Sequence, residues 1–371
     1  MMVSSQSSFN QLSPPSVERE FSTTGATLWN WRKAAREDAI AAAISLTEVD
    51  WLLRELTDLD SLALRLESFQ TRPAIRLKLP FEELQQLWRQ RVEARVPVQY
   101  LIGAAPWRQF LLQVSPAVLI PRPETECLID LAIWAEEQKI KGAGTPESQS
   151  RTETSTQSPD NQPLTTVHPP ISPLTPLPSP LTPHSSLLSP HSSPLTPPPS
   201  PHWADLGTGS GAIALGLATA FPQATIHAVD CSETALEMAQ LNAAAYQLQE
   251  RIRFYQGSWF EPLAALKGKL SGIVSNPPYI PSAIVPELQP EVARHEPHLA
   301  LDGGTDGLDF IRHLVRTAPT YLQTDGILLL EMMAGQAAIV TQLLHQQNSY
   351  HSIQIHADLA GISRFALAYR I

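Results

Sequence analysis

Downstream of Pro201 the sequence alternates short apolar runs with amphipathic stretches, and that alternation limits what the chain can fold into more than any other feature. Strand-like runs fall at 203–206, 225–230, 252–256, 272–275, 327–332, 353–357 and 365–369. Helical patterns lie between most of them, at 212–220, 233–246, 307–321 and 336–346. A repeated strand–helix order predicts a mostly parallel sheet covered on both faces, because parallel neighbours need a crossover long enough to hold a helix. No helical pattern separates the last two runs, so an antiparallel pair should finish the sheet.

Upstream, residues 28–95 read as a small helical domain. Trp51, Leu52, Leu56 and Leu59 recur at helical spacing behind Thr47, a candidate cap. A second helix should start at Pro80 or Phe81 and run through Leu84, Leu87, Trp88 and Val92. The apolar runs 98–102 and 110–114, split by Gly103 and Pro106, read as a β-hairpin within a linker spanning 96–118. A helix through Leu128, Leu131 and Trp134 follows. Residues 1–27 are polar and Ser-rich, without the apolar core of a signal peptide, and are expected to form a disordered tail.

Of the 34 prolines, 16 fall between Ala143 and Pro201, where Pro, Ser and Thr make up 37 of 59 residues. Such a segment has little apolar surface to set against its ordering entropy, and extended disorder is the expectation. Loop-closure cost grows slowly with length, so an insertion here is tolerable. Its deletion should leave activity largely intact, unless it serves as a polyproline ligand.

The formal charge of −10 lowers the prospect of a protein built to grip a polyanion. The two cysteines, Cys127 and Cys231, form no CxxC or Cys/His ligand spacing, so neither a disulfide framework nor a metal site is expected. No apolar run approaches the ~20 residues that cross a bilayer. A cytoplasmic protein with no membrane contact is the expectation, and a monomer is the default.

Two motifs carry the chemistry. In Asp205-Leu206-Gly207-Thr208-Gly209-Ser210-Gly211-Ala212 a strand runs into a glycine-rich turn and then a helix, with Asp230 ending the next strand where it can accept from ribose hydroxyls. Gly207-x-Gly209-x-x-Ala212 also satisfies a dinucleotide pattern, so the turn alone leaves NAD open. The second motif is Asn276-Pro277-Pro278-Tyr279, directly after an apolar strand. Its prolines stiffen the backbone and remove amide donors, leaving the Pro277 carbonyl and the Asn276 side-chain oxygen to grip the two hydrogens of an NH2 group. Tyr279 offers a flat face to a planar group.

Together the motifs resemble an S-adenosylmethionine-dependent methyltransferase acting on a planar NH2 nitrogen. Arg95-x-Pro97-x-Gln99-Tyr100-x-x-Gly103, the 120–126 segment, Asp306-Gly307-Leu308 and Asp358-Leu359-Ala360-Gly361 narrow the resemblance to the release factor glutamine methyltransferases, over about residues 28–142 and 202–371. It implies an α/β fold: a Rossmann-like class I methyltransferase domain at 119–371, interrupted by the 143–201 insertion, with a seven-stranded, mostly parallel sheet. The all-helical N-terminal domain, joined to it by the β-hairpin, would dock the substrate.

The resemblance also implies site roles. Gly207, Thr208, Gly209, Ser210 and Gly211 would cradle the methionine part of S-adenosyl-L-methionine, Asp230 would bind its ribose, and Trp259 would lie against its adenine. Asn276 would border cofactor and substrate alike. Asn276, Pro277, Pro278 and Tyr279 would bind a glutamine amide, with catalysis resting on Asn276, Pro277 and Tyr279. The partner implied is the Gly-Gly-Gln loop of class I peptide chain release factors, without direct nucleic-acid contact. Ser258, where the family often has an acid, and Met332-Met333, where His-Gly is frequent, depart from the pattern. Glu124 and Glu126 are candidates near the cofactor entrance, and His295 and His298 read as loop residues.

An adenine-N6 nucleic-acid methyltransferase needs the same Asn-Pro-Pro-Tyr, but residues 201–371 carry 9 Lys+Arg against 15 Asp+Glu. A non-catalytic cofactor-binding adaptor is the other alternative, and the intact second motif argues against it.

Overall fold

The computed structural model describes residues 21–143 and 200–371; the expectations for residues 1–20 and for most of the Pro-rich insertion lie outside them. The helical region comprises α1 (Gly25–Ala41), α2 (Leu46–Leu56), α3 (Ser61–Leu66) and α4 (Phe81–Glu93). A two-stranded ribbon, β1 (Phe21–Thr23) paired antiparallel with β2 (Ile75–Leu77), accompanies them. Regular structure therefore begins before residue 28: Phe21–Thr23 of β1 pairs with β2, and Thr24 caps α1 by accepting from the Thr27 amide. Ser45, rather than Thr47, caps α2. Leu28, Leu52, Leu53, Phe69, Leu84 and Trp88 fill the interior of this region.

Residues 98–102 are helical, not extended. This short helix, α5 (Val98–Ile102), begins after Pro97 and is closed by Gly103 at φ 76°. A glycine takes that left-handed cap without the steric cost a side chain would add, so the apolar run ends as a helix whatever its strand propensity. The hairpin is present but shifted, with β3 (Ala104–Trp107) against β4 (Phe110–Gln113). Pro106 is accommodated because each strand of a two-stranded ribbon has a free edge.

After α6 (Cys127–Ala143) comes the main sheet: β5 (His202–Leu206), α7 (Ala212–Ala220), β6 (Thr225–Asp230), α8 (Glu233–Ala245), β7 (Ile252–Gln256) and β8 (Leu270–Ser275). A short α9 (Pro290–His295) and α10 (Asp309–Thr317) precede β9 (Leu322–Glu331), α11 (Ala337–Gln346), β10 (Tyr350–Ala357) and β11 (Ser363–Arg370). The order across the sheet is β10-β11-β9-β8-β5-β6-β7, with only β11 antiparallel to its neighbours.

Alternation along each strand assigns the faces. Ile327 and Leu329 of β9, with Phe365 and Leu367 of β11, join α6 and α7 on one side. Leu328, Leu330, Ala366 and Ala368 meet α10 and α11 on the other. The carboxyl ends of β5, β6, β8 and β9 come out on one edge, where open α/β sheets bind ligands.

Candidate active site

The glycine turn leaves β5 at Gly207 and enters α7 after Gly211. Gly207 and Thr208 both donate their amides to the Val229 carbonyl, at 2.9 and 3.0 Å, which folds the turn back over β6. Gly207 and Gly209 hold positive φ, 77° and 54°. Asp230 ties the turn down from the neighbouring strand: one carboxylate oxygen accepts from the Gly209 amide and the other from the Ser232 amide, each at 2.9 Å. Beneath the turn, fully buried Asp205 accepts from the Thr208 hydroxyl at 2.6 Å and the Ala214 amide at 2.9 Å. Burial outweighs these bonds and pushes its carboxyl up to about 7.

A cavity of about 280 Å³ opens in front of the turn. Gly207, Gly209, Asp230, Trp259, Asn276 and Pro278 line it. Apolar wall comes from Val118 and Leu119 before α6, and from Leu299 and Phe310 on the α9–α10 side. The Tyr100 hydroxyl of α5 holds that first wall by donating to the Val118 carbonyl at 2.6 Å. Trp259 and Phe310 have ring centroids 5.2 Å apart at 43°. A methyl group built on Gly207 would stand 3.7 Å from the indole of Trp259, so the glycine leaves free the space in front of that ring.

At the end of β8 the Ser275 hydroxyl donates to the Leu206 carbonyl at 2.6 Å and locks this strand end to β5. The following residues enter a buried network. Asn276 Nδ2 donates to Thr125 Oγ1 at 3.1 Å, and Thr125 donates to Glu331 Oε2 at 2.8 Å. The Tyr279 hydroxyl donates to the other oxygen, Glu331 Oε1, at 3.1 Å. Burial dominates at Glu331 and raises its carboxyl to about 7. Burial, then the Glu331 charge, raises the Tyr279 phenol well above its ordinary value. Gln336 Nε2 braces the turn by donating to the Tyr279 carbonyl at 3.0 Å. Among the described residues, no donor reaches the Pro277 carbonyl.

The Methyltransferase small domain family model matches residues 185–287. The release factor glutamine methyltransferase of Synechocystis is 45% identical over 345 residues, covering 93% of this chain and 97% of its own length. The protein of that name from Thermosynechococcus vestitus is 44% identical, over 92% of this chain and 96% of its own, and that from Gloeobacter violaceus 39%, over 91% and 96%. This chain belongs to the release factor glutamine methyltransferase family. It is a methyltransferase, and the sheet is that of a class I methyltransferase domain.

Within the family frame, the structure brings Gly207, Gly209, Asp230, Trp259, Asn276 and Pro278 to one cavity. Thr208, Ser210, Gly211, Pro277 and Tyr279 do not line it. Thr208 is buried on Asp205, and the Ser210 carbonyl accepts from Asn242 at 2.9 Å. Gly211 packs so closely that an added methyl would meet Ala239 and Leu215 at 3.1 Å. Of the departures from the family pattern, exposed Ser258 donates its amide to Glu261, and Met332 is buried in the core. Glu124 and Glu126 stay off the cavity, Glu126 accepting from the Arg108 amide. His295 donates to the Ala94 carbonyl, and His298 is exposed beside Asp302.

Sequence reasoning missed Thr125 and Glu331 as site residues. The available signal was a carboxylate at the end of the apolar run Ile327-Leu328-Leu329-Leu330, a position that burial makes expensive unless it is hydrogen-bonded.

The described residues contain no cluster of His, Cys, Asp or Glu fit for a metal ion. No described helix is long and apolar enough to cross a membrane.

Proposed function

We propose that the chain methylates the side-chain amide nitrogen, N5, of the glutamine in the Gly-Gly-Gln motif of class I peptide chain release factors, using S-adenosyl-L-methionine. The observation that carries this reading is the Asn276–Pro277 turn at the end of β8. It sets the hydrogen-bonded side-chain amide of Asn276 on the cavity fronted by the glycine turn, next in the chain to a backbone carbonyl that no donor among the described residues reaches.

The cavity residues fit the cofactor. A nucleoside can lie in the space that Gly207 leaves before Trp259, with Asp230 accepting from its ribose through carboxylate lone pairs that Gly209 and Ser232 do not use. The turn from Gly207 to Gly211 would hold the methionine part, Thr208, Ser210 and Gly211 acting by shaping the loop. When bound, the cofactor supplies an electrophilic sulfonium methyl group.

An amide nitrogen is a poor nucleophile because its lone pair is delocalised into the carbonyl. Asn276 Oδ1 and the Pro277 carbonyl, accepting one N–H each, favour a more pyramidal nitrogen and fix its direction of approach. Tyr279 and Pro278 stiffen and flank the turn. The methylated nitrogen releases one proton to solvent after transfer, so no general base is assigned. The helical region of α1–α4 is assigned the docking of the release factor, and the partner places the chain where translation terminates, in the cytoplasm.

Incubation with S-adenosyl-L-methionine and a class I release factor, followed by peptide mass spectrometry, tests the proposal. One methyl on the Gly-Gly-Gln glutamine is expected. A methyl on adenine of supplied nucleic acid, with the release factor unmodified, would overturn it.

A further inference from the structure

We propose that Glu331 is a positioning residue for methyl transfer, acting through the Thr125 hydroxyl to fix which end of the Asn276 side-chain amide faces the substrate. The inference rests on the reading that Asn276 grips an NH2 group. It goes beyond that reading because it assigns a role to two residues that do not line the cavity.

An ionised carboxylate only accepts, and a hydroxyl has one proton to give. Glu331 is 1% exposed, and Thr125 and Tyr279 satisfy its two oxygens separately. Thr125 is 3% exposed, which keeps solvent from competing for its hydroxyl. Since the Thr125 proton is committed to Glu331, its oxygen is left to accept, and Asn276 must turn its Nδ2 inward at 3.1 Å. The amide oxygen is then the end left toward the cavity, where an NH2 group requires an acceptor. Reversed, the same side chain would oppose donors to donors.

The charge of Glu331 is what commits the Thr125 proton. The groups facing it are the Tyr279 phenol, the Arg364 guanidinium of β11, and Glu124 beside Thr125; the Cys127 thiol at the start of α6 also feels its charge. Arg364 is itself paired with Asp358 at 2.7 Å, and Glu124 opposes ionisation. Burial is the largest influence, and the carboxyl titrates at about 7. Once protonated, it can donate to Thr125. The Thr125 proton is then released toward Asn276, and the amide is no longer held in one orientation. Methyl transfer should therefore rise as pH rises through this titration.

The test compares wild type with Thr125→Val, Thr125→Ser and Glu331→Gln. Thr125→Val and Glu331→Gln should lower kcat about a hundredfold, the scale expected when a reacting group loses its orientation. Cofactor affinity by calorimetry should stay near wild type, while Thr125→Val, which leaves Glu331 Oε2 and Asn276 Nδ2 without their partner, should melt a few degrees lower and still fold. Thr125→Ser, which restores the hydroxyl, should recover most of the rate. The wild-type kcat should climb between about pH 6 and about pH 8, and that climb should vanish in Thr125→Val.

A readout independent of turnover is the side-chain amide signal of Asn276 in protein labelled with 15N-asparagine. The proton bonded to Thr125 should be protected from exchange in wild type and exposed in Thr125→Val. Unchanged exchange, or a Thr125→Val kcat within about twofold of wild type, overturns the proposal. A wild-type chain that leaves release factor unmodified, yet shows the protected amide, sinks the substrate reading and supports the network.

Discussion

Arg91 of α4 and Glu291 of α9 stand 200 residues apart in the chain and 2.9 Å apart in the fold. Arg91 is 4% exposed and also makes a two-pronged bond to Glu48 of α2, while Arg95 adds a second cation to Glu291 at 2.6 Å. Burial pushes the Glu291 carboxyl up, but its backbone bond and the two guanidiniums outweigh this and hold it below the usual carboxylate range. Beyond α9 the same segment carries Leu299 and Ala300 of the cavity wall. This cluster around buried Arg91 thus joins the helical region to the wall of the site.

Replacing Arg91 by Met should destabilise the protein by about 2 kcal/mol, because the half-buried carboxylates of Glu48 and Glu291 lose a charged hydrogen-bond partner. Urea denaturation measures the loss. Cofactor KM should also rise, since the wall loses an anchor. Unchanged stability would show that Arg95 alone suffices for Glu291.

Asn276→Ala should reduce kcat by about two to three orders of magnitude, the usual consequence of deleting one aligned polar group at a reacting centre. Cofactor affinity, read by calorimetry, should change little. A full-rate Asn276→Ala enzyme would remove the amide grip from the mechanism.

Asp205 makes stability depend on pH with a definite sign. Its folded value of about 7 lies above the ordinary 3.8, so between these values the folded state binds the extra proton. Its contribution is present in full below the lower value and is lost as pH rises to the upper one, on the order of 4 kcal/mol. Glu331 acts in the same direction. His227, which burial holds down at about 4, acts in the opposite direction and loses its contribution as pH falls. The clean observable is therefore a difference: Asp205→Asn should gain stability relative to wild type as pH rises from about 4 to about 7, measured by denaturation at each pH.

Gly272→Ala tests the centre of the sheet. A methyl there would lie 2.2 Å from the ring of Trp203, which is itself buried and stacked on Phe221 at 4.6 Å. The ring cannot move aside, and a loss of about 3 kcal/mol by calorimetry is expected. A wild-type melting temperature would mean that the sheet relaxes there.

Much of this protein was legible in the sequence because it is encoded over short distances along the chain. Strand faces follow from alternate residues, as Ile327 and Leu329 against Leu328 and Leu330 show. The glycine turn follows from three residues that take positive φ, and the stiffness of the second motif from two adjacent prolines. Local signals misled where two of them competed, as at 98–102, where Pro97 and Gly103 bracket an apolar run into a helical turn.

Tertiary structure alone decided the partners. Pairing of Ser275 with Leu330 in adjacent parallel strands brings Asn276 and Glu331 off the same sheet edge as neighbours. Thr125 reaches them from 151 residues before Asn276. A hydrogen bond between such positions depends on strand order, register and the path of a loop, and none of these has a period or a turn residue to announce it. The chemistry of each residue is written in the chain; which proton each one receives is settled only when the sheet assembles.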